Sequence, residues 1–388
     1  MQIGIIGCGV AGQAAALALA RDGHEVTVVE RFAAARPLGA GLLLQPTGLE
    51  ALDRLDLRQR AVDTGAPVHA LDGRTVRGRR VLDLHYAPTQ HGVGIHRAAL
   101  FDLLHKAMLN SGVTLRLGFE NAAIETLEHP RLIDASGAAE GPFDLVVNCA
   151  GAHDAVRAPL YPWGALWATC PDRNGTFANA LHQRYDGAHL MIGILPIGRV
   201  PHAPYAGDHV AFFWSLKLSD VASHEAAGLD TLKRRVLAAW PQSEPIVAEI
   251  TDWEALSLAT YRDVRMRPWS KGRILTIGDA AHGTSPQLGQ GANLALIDAV
   301  TLAHCLRTER SIDDALRRYE CLRRPHVNFY QLASRALTPA YQSDSKAMAW
   351  LRDIVLSNAG RIPGAQTLMR TTLSGSRIWP LGSWRMPV

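Results

Sequence analysis

The sequence predicts a mixed α/β fold (α+β overall): an open parallel-sheet domain interdigitated with an antiparallel-sheet domain, plus C-terminal helices. Three observations predict it. The N-terminus reads as strand, glycine turn, helix and strand. Residues 161–261 change to longer strands with alternating apolar positions, the period of an antiparallel sheet packed on one face. Residues 273–298 then read as strand, acidic turn, glycine loop and helix, which returns the chain to the first sheet.

The N-terminal unit carries a dinucleotide-binding pattern. An apolar strand at residues 3–6 runs into a GxGxxG turn, a helix of small residues at 11–20 and a second strand that ends on Glu30. Glycines permit close approach of a pyrophosphate, the helix N-terminus favours its charge, and the acid accepts ribose hydroxyls. This Rossmann-type unit binds the ADP half of FAD or NAD(P) without distinguishing them. Its candidate cofactor residues are Gly7, Gly9, Val10, Ala11, Gly12, Glu30 and Arg31.

Strands and helices continue beyond this unit. Arg36, Gly39 and the residues after them lead into a helix around 48–55, and residues 66–86 alternate as a small sheet. Arg97 begins a helix with apolar residues at helical spacing, where it would meet a phosphate or ribityl chain. A solvated arginine at a helix start is the alternative. A later strand at 144–147 runs into a Cys-Ala-Gly turn.

The segment RILTIGDAAHGTSPQLGQGANLALID at 273–298 predicts a second ligand-binding edge. Its strand delivers an acid to the carboxyl end of a sheet, its glycines let backbone approach a ligand, and the next helix points its positive end there. The candidate cofactor residues here, with Arg97, are Gly278, Asp279, Pro286, Gly289, Gln290, Gly291, Ala292 and Asn293. We expect His282 to pack the loop and Asp298 to be structural. A further helix begins at 311–314 and is predicted to end near Pro325.

Composition excludes several classes of function. The 388 residues suffice for two domains, and 47% hydrophobic with 20% charged residues is typical of a soluble globular protein. The net charge of +4 is spread along the chain, so no nucleic-acid partner is expected. No apolar run has transmembrane length. The five cysteines lack metal-site spacing and predict a reducing, cytoplasmic location without a metal: Cys8, Cys149, Cys170, Cys305 and Cys321.

Together the three motifs resemble the single-component flavin-dependent aromatic hydroxylases, the group A monooxygenases of the para-hydroxybenzoate hydroxylase type. The resemblance covers most of residues 1–330, and the GDAAH…PQLGQGAN run is its most specific part. Residues 319–325 also resemble that family's next helix. The resemblance implies FAD, with the first glycines on the pyrophosphate, Glu30 on the ribose, Asp279 on the ribityl chain and Arg97 near the flavin. Pro286 and residues 289–293 would lie beside the isoalloxazine ring.

The resemblance also implies a reaction. NAD(P)H reduces FAD, O₂ gives a flavin C4a-hydroperoxide, and a small aromatic, phenol-like substrate is hydroxylated. The protein excludes water and positions the substrate, while the cofactor carries the chemistry. The middle sheet is expected to supply an activating base; its candidates by position, none preferred, are Tyr185, His182, His189 and Trp214.

The predicted domains are discontinuous. The Rossmann-type FAD-binding domain takes residues 1–67, 90–160 and 266–330. The substrate-binding sheet domain takes 68–89 and 161–265, and 331–388 form a C-terminal helical segment. A monomer or homodimer is expected.

One departure from the family pattern bears on how FAD is reduced. Ala150, before Gly151, occupies the place of the family's aspartate, and Asp154 replaces a serine. Two alternatives therefore stay open. One is an FAD-dependent dehydrogenase, epoxidase or N-oxidase acting on a non-phenolic substrate. The other is a non-catalytic flavin-binding redox module, which Ala150 favours but the glycine loop and aromatic-rich middle sheet oppose.

Overall fold

A computed structural model provides the structure of the chain. The described residues are 1–34, 40–126, 128–152, 158–359, 362–378 and 382–387. Several residues named in the sequence predictions lie outside them: Arg36, Gly39 and Asp154, with the rest of 153–157.

Helices and strands alternate at first, strands dominate the middle of the chain, and long helices close it. The helices are α1 (Val10–Arg21), α2 (Pro46–Arg54), α3 (Arg58–Thr64), α4 (Arg97–Leu109), α5 (Val221–Ala227), α6 (Leu229–Ala239), α7 (Glu244–Val247), α8 (Asp279–His282), α9 (Gly291–Thr308), α10 (Ile312–Tyr341), α11 (Lys346–Asn358) and α12 (Ala365–Leu373). Single 3₁₀ turns lie at Leu218–Asp220, Pro241–Ser243 and Pro286–Leu288.

The strands follow the same numbering. They are β1 (Gln2–Ile6), β2 (Glu25–Glu30), β3 (Gly41–Leu44), β4 (Ala66–Thr75), β5 (Arg80–His85), β6 (Gly92–His96), β7 (Thr114–Leu117), β8 (Asn121–Glu125), β9 (Arg131–Asp134), β10 (Ala139–Glu140), β11 (Leu145–Asn148), β12 (Trp163–Pro171), β13 (Asn179–Asp186), β14 (Leu190–Gly198), β15 (His209–Lys217), β16 (Ser257–Ala259), β17 (Ser270–Lys271), β18 (Ile274–Thr276), β19 (Arg377–Ile378) and β20 (Gly382–Ser383). Two small sheets join β8 to β10 and β19 to β20.

The first large sheet confirms the predicted Rossmann-type unit. Within the described residues its order is β17-β18-β11-β1-β2-β7, and all neighbours are parallel except β17 and β18. Its central strands are fully buried at Ile3, Ile5 and Val147, and α1, α9 and α10 pack around the same core. Because parallel strands end at one edge, the glycine turns after β1 and β18 come together there.

The second large sheet is antiparallel in all but one pair. Among the described strands its order is β16-β12-β15-β14-β13-β4-β6-β3, with β5 beside β4. The parallel pair is β4 with β13, which the alternation of side chains did not predict. Two strands from the predicted FAD-binding ranges, β3 and β6, are hydrogen-bonded into this sheet. The domain boundaries stay a prediction, because strand pairing does not decide where a folding unit ends.

The two faces of this sheet have different surroundings. Its outer face packs against α6 and α7 and buries Phe212, Trp214 and Trp240. Its inner face carries the cluster of Leu43, Tyr86, Leu195 and Leu373, which lies toward α12 and the first domain. The tryptophans of the sheet are therefore mostly core. Among the described tryptophans of the sheet, Trp167 is half-buried and lies on the inner face.

The prediction that the helix after residue 311 ends near Pro325 is wrong. Ser311 caps its start as expected, since its Oγ accepts the N–H of Asp314 at 3.1 Å. Pro325 removes one helix N–H and crowds the carbonyl four residues earlier, which usually ends or kinks a helix. The 30-residue α10 instead continues past it, because Tyr319 and Val327 on either side of Pro325 are buried in the first core.

Candidate cofactor and substrate site

The three sequence motifs meet at the carboxyl edge of the first sheet. A Cβ added to Gly278 would lie 3.0 Å from the Cβ of Ala11, so β18 ends against the first turn of α1. A Cβ added to Gly7 would lie 2.7 Å from the carbonyl oxygen of Cys149, just after β11. The fold thus brings together the segments of Gly7, Cys149 and Gly278, which lie far apart in the sequence.

The three glycines of the first turn have different neighbours. Gly7 has a φ of 94°, and a Cβ on Gly12 would lie 1.9 Å from the Gly7 carbonyl oxygen. Both positions therefore require glycine for the fold itself. A Cβ on Gly9 would meet no atom within 4 Å, and α1 begins there with no side-chain cap. The N–H groups of Val10 and Ala11 lie in that first turn, so open space faces the positive end of a helix.

Glu30 lies at the end of β2 beside this turn. Its carboxylate accepts the backbone N–H of Cys8 at 2.8 Å and that of Phe32 at 3.1 Å. Each carboxylate oxygen keeps further acceptor capacity, which suits a ribose diol. The neighbouring Arg31 is exposed, with its guanidinium 4.7 Å from the centre of the Phe32 ring.

The second glycine loop places an acid beside a helix N-terminus. Asp279 is the exposed first residue of α8, and its carboxylate has no hydrogen-bond partner among the described residues. A Cβ on Gly291, the first residue of α9, would lie 3.5 Å from Asp279 Oδ1. The 3₁₀ turn that begins at Pro286 ends at Gly289, which is exposed. No side chain caps α9, so the N–H groups of Gly291 and Ala292 face the same open region.

Asn293 connects this loop to the second sheet. Its Oδ1 accepts the Gln45 N–H at 2.8 Å, and its Nδ2 donates to Leu43 O at 3.0 Å and Gly289 O at 2.9 Å. The side chain is fully buried. Its amide therefore holds the N-terminus of α9 in place, and direct contact with a cofactor falls to the backbone.

Two buried amide atoms beside this loop lack partners within the described part of the chain. They are Gln45 Nε2 and Gln290 Oε1. Their other atoms are held, since Tyr86 donates its hydroxyl to Gln45 Oε1 at 2.5 Å and Gln290 Nε2 donates to Leu373 O at 2.9 Å. A buried polar atom left unpaired costs about 1–3 kcal/mol, so a ligand with both a donor and an acceptor fits here.

These residues fit a flavin. Its pyrimidine ring presents carbonyl acceptors and an N–H donor, the counterparts of the free Gln45 and Gln290 atoms. The uncapped α9 would face the end of the ring that becomes negative on reduction. The sequence motifs do not predict Gln45 and Tyr86, because neither residue belongs to a glycine loop and their hydrogen bond spans 41 residues.

Arg97 and Ala150 flank the site. Arg97 is exposed at the start of α4, its N–H donates to Ala40 O at 2.9 Å, and its guanidinium has no hydrogen bond to a described residue. Ala150 is half-buried against the cluster that contains Val29 and Phe143, and its N–H is held by Asn148 Oδ1 at 3.0 Å. The side-chain amide of Asn148 therefore fixes the turn in which Ala150 occupies the place of the family's aspartate.

A buried ionic network supports the loop from behind. Asp298 Oδ2 accepts from Gly278 N at 2.9 Å and from His282 Nε2 at 2.6 Å, and Oδ1 accepts from Arg323 Nε at 2.7 Å. Burial alone would raise the pKa of Asp298, but His282 and Arg323 outweigh it and hold that pKa well below its usual value. Both His282 and Asp298 are buried away from solvent and serve the structure.

The inner face of the second sheet forms the remaining wall. Three of its apolar side chains are only half-buried, namely Leu71, Trp167 and Leu181, and the half-buried Met369 of α12 packs against the same cluster. Burial raises the pKa of Tyr261, whereas the adjacent Trp167 side chain and the charge of Arg97 lower it in part. Tyr261 therefore lies close to Trp167 and to the charge of Arg97.

The four base candidates are separated by the fold. Tyr185 lies on the inner face but is 1% exposed, and its hydroxyl donates to Gln183 Oε1 at 2.8 Å. His182 packs edge-on against Phe177 on the outer face, where Trp214 also lies. His189 is exposed. The structure brings none of them to the open part of the inner face, so no catalytic base is assigned.

A glycine turn after β1, an acid after β18 and an uncapped α9 together define a dinucleotide-binding flavoprotein fold. A family model described as FAD binding domain matches residues 1–330, and the chain belongs to that family. The predicted resemblance to the group A aromatic hydroxylases is confirmed. The chain is an FAD-dependent monooxygenase, and the predicted FAD cofactor is confirmed with it.

Known proteins resemble the chain over most of its length. It is 26% identical over 363 residues to aurachin C monooxygenase/isomerase of Stigmatella aurantiaca, covering 90% of this chain and 92% of that protein. It is 29% identical over 357 residues to 3-amino-4-hydroxybenzoate 2-monooxygenase of Streptomyces cremeus, covering 88% of each. The structure of Klebsiella pneumoniae HpxO with FAD and uric acid shares the fold, with a TM-score of 0.79, 21% identity and coverage of 97% and 96%.

Proposed function

We propose that the chain hydroxylates a small aromatic, phenol-like substrate with NAD(P)H and O₂. The observation that carries this proposal is the apolar cluster that contains Leu43 and Leu373 and includes the half-buried Trp167. Two side chains of the second glycine loop are hydrogen-bonded to this cluster, because Asn293 donates to Leu43 O and Gln290 donates to Leu373 O. When bound, FAD accepts electrons from NAD(P)H and activates O₂. The protein groups then have separate tasks of binding, orientation and exclusion of water.

The first task is to hold the cofactor. The open space at Gly9 takes the pyrophosphate, Glu30 accepts the ribose hydroxyls, and Asp279 accepts the ribityl hydroxyls. The N–H groups at the start of α9 stabilise negative charge on the reduced ring. Gln45 Nε2 donates to a ring acceptor, with Tyr86 fixing the direction of its side-chain amide and Asn293 holding its backbone N–H.

The second task is to bind an aromatic ring next to the flavin. Trp167 and Leu181 of the sheet, with Met369 of α12, offer apolar surface, and aromatic contacts with such surface bury large area with defined geometry. The relatives support this substrate class, since one acts on 3-amino-4-hydroxybenzoate and another structure contains uric acid. Tyr261 is a polar group close to Trp167.

The location and assembly form a further part of the proposal. All five cysteines are free thiols, and only Cys321 is exposed. Free thiols suit a reducing, cytoplasmic compartment. The protein is proposed to be a monomer or a homodimer. All the proposed site residues belong to one chain, so the site needs no partner subunit.

A panel of phenols, aminobenzoates and quinolones tests the function. The FAD-loaded protein is mixed with NADPH or NADH, and pyridine nucleotide oxidation and O₂ uptake are followed with each compound. We expect both rates to rise together with an aromatic substrate. Nucleotide oxidation without O₂ uptake would instead support a dehydrogenase. Absence of flavin bleaching with every compound would support a redox module.

A further inference from the structure

Helix α11 presents a row of apolar side chains to solvent. Trp350 is 67% exposed, and Leu351, Ile354 and Val355 are 47%, 37% and 49% exposed. Positions i, i+1, i+4 and i+5 lie on one side of a helix. A surface helix normally places charged or polar residues on its outward side, so this face has the opposite pattern.

The orientation of α11 is set by its inward side. Arg352 is 5% exposed, and its guanidinium donates to Gly187 O at 3.0 Å and Ala340 O at 2.9 Å. The same guanidinium lies 4.6 Å from the centre of the buried Tyr185 ring. These contacts face the protein core, so the apolar row necessarily points away from it.

Two more exposed apolar side chains follow α11 in the sequence. Ile362 is 54% exposed and Leu368, on α12, is 40% exposed. Both α11 and α12 pack against β5. We call the combined patch the C-terminal apolar surface; its members are Trp350, Leu351, Ile354, Val355, Ile362 and Leu368.

The sequence segment that carries this surface is basic. Residues 345–388 contain six Lys or Arg and a single acid, Asp353, for a formal charge of +5, whereas the whole chain has +4. Asp353 pairs with Arg352 at 2.6 Å and with Arg79 at 3.4 Å. Lys346 is exposed at the start of α11. The surface is therefore apolar and set in a basic segment.

We propose that the C-terminal apolar surface docks on an anionic lipid bilayer. An interfacial helix binds through an apolar face with tryptophan, supported by basic residues that attract anionic headgroups. A second copy is a poorer occupant, because a two-fold dimer would place this basic segment against itself. Within the described residues no helix is long and apolar enough to cross a membrane, so the contact lies on the surface. This docking is independent of the reaction at the flavin.

Vesicle sedimentation of the FAD-loaded full chain tests the proposal. Vesicles of phosphatidylcholine are used with and without phosphatidylglycerol, at low and high salt. We expect binding to the anionic vesicles that weakens with salt. Replacing two exposed side chains, Trp350→Ser with Ile354→Ser, lowers the partition coefficient by at least about tenfold. The matched control is Leu109→Ser, at a leucine 45% exposed at the end of α4, which leaves binding unchanged.

A charge variant separates docking from folding. Lys346→Glu reverses a charge in the first turn of α11, where an acid favours the helix, so the fold is maintained while anionic binding falls. Equal binding to neutral vesicles, or no vesicle binding at all, overturns the proposal. So does a dimer in sedimentation equilibrium that the Trp350→Ser and Ile354→Ser variant dissociates, because the surface would then belong to a second copy.

Discussion

Asp298 and Arg323 form an ion pair 2.7 Å long in which neither side chain is exposed to solvent. The pair connects α9 to α10, and Asp298 also accepts the N–H of Gly278 at 2.9 Å. The backbone turn that precedes Asp279, the proposed ribityl ligand, is therefore held from behind by a buried charge network. The position of this proposed cofactor ligand depends on buried residues behind the loop.

Breaking this pair is expected to destabilise the whole protein. Arg323→Met leaves the Asp298 carboxylate buried without its cation, and we expect the free energy of unfolding to fall by about 3–5 kcal/mol. Denaturant unfolding measures it. The matched control is Arg324→Met, because Arg324 pairs with Glu320 at the half-exposed surface and should contribute about 0–1 kcal/mol. Equal losses in the two variants would refute the special role of the buried pair.

His326 makes stability depend on pH. Its Nε2 donates to Gly375 O at 2.6 Å, so Nδ1 is the acceptor from Arg323 at 2.5 Å and the ring is neutral. Burial, and then the charge of Arg323, hold the pKa of His326 well below its usual value. As pH falls, His326 is therefore protonated in the unfolded chain before it is protonated in the folded protein. The free energy of unfolding that the neutral ring maintains above about pH 6.5 is lost progressively below that pH.

The loss attributable to this histidine is about 1.4 kcal/mol per pH unit below about pH 6.5. His326→Gln keeps one donor and one acceptor but has no titrating group. We expect its stability to decline less steeply between neutral and mildly acidic pH than that of the original chain. Denaturant unfolding at several pH values measures the slopes, and parallel slopes would contradict the assignment.

The glycines of the first turn separate folding from cofactor binding. Gly12→Ala would place a methyl group 1.9 Å from the Gly7 carbonyl oxygen, so we expect the apoprotein to lose about 1–3 kcal/mol or more. Gly9→Ala meets open space and should leave apoprotein stability within about 0.5 kcal/mol, while FAD affinity falls at least about tenfold. Thermal unfolding of apoprotein and FAD titration give the two readouts. A Gly9→Ala variant with unchanged FAD affinity would place the pyrophosphate elsewhere.

Asp279 is expected to bind FAD without stabilising the apoprotein. Its exposed carboxylate makes no hydrogen bond to the described residues, so Asp279→Ala should leave apoprotein unfolding unchanged. Loss of charged hydrogen bonds to the cofactor should weaken FAD about 10- to 100-fold. Asp313→Ala, at another exposed acid in the first turn of a helix, is the control. A yellow Asp279→Ala protein with one FAD per chain would rule out this contact.

The cofactor site could be predicted where its chemistry is local. Gly7, Gly9 and Gly12 follow one strand, and Asp279 follows another. Short stretches of sequence therefore predict a turn, a helix start and an acid at a sheet edge. Two parallel strands then bring them together.

Long-range packing could not be read in the same way. Gln45 bonds to Tyr86 across 41 residues, and His326 bonds to Gly375 across 49, with no spacing rule to link either pair. The path of α10 past Pro325 depends on a core that the helix pattern does not show. The sequence also does not predict that Trp167 and Trp214 lie on opposite faces of the sheet. Strand pairing determines this, because Trp214 is paired with Leu166 and Trp167 with Phe213.

The central claim is that oxygen activated at this site enters an aromatic ring. The most direct measurement is a single turnover of FAD-loaded protein, reduced with NADPH and mixed with isotopically heavy O₂ and the best aromatic substrate from the panel. We expect one heavy oxygen atom in the product and flavin reoxidation coupled to product formation. Reoxidation that yields only hydrogen peroxide with every aromatic compound, or product oxygen drawn from water, would contradict it.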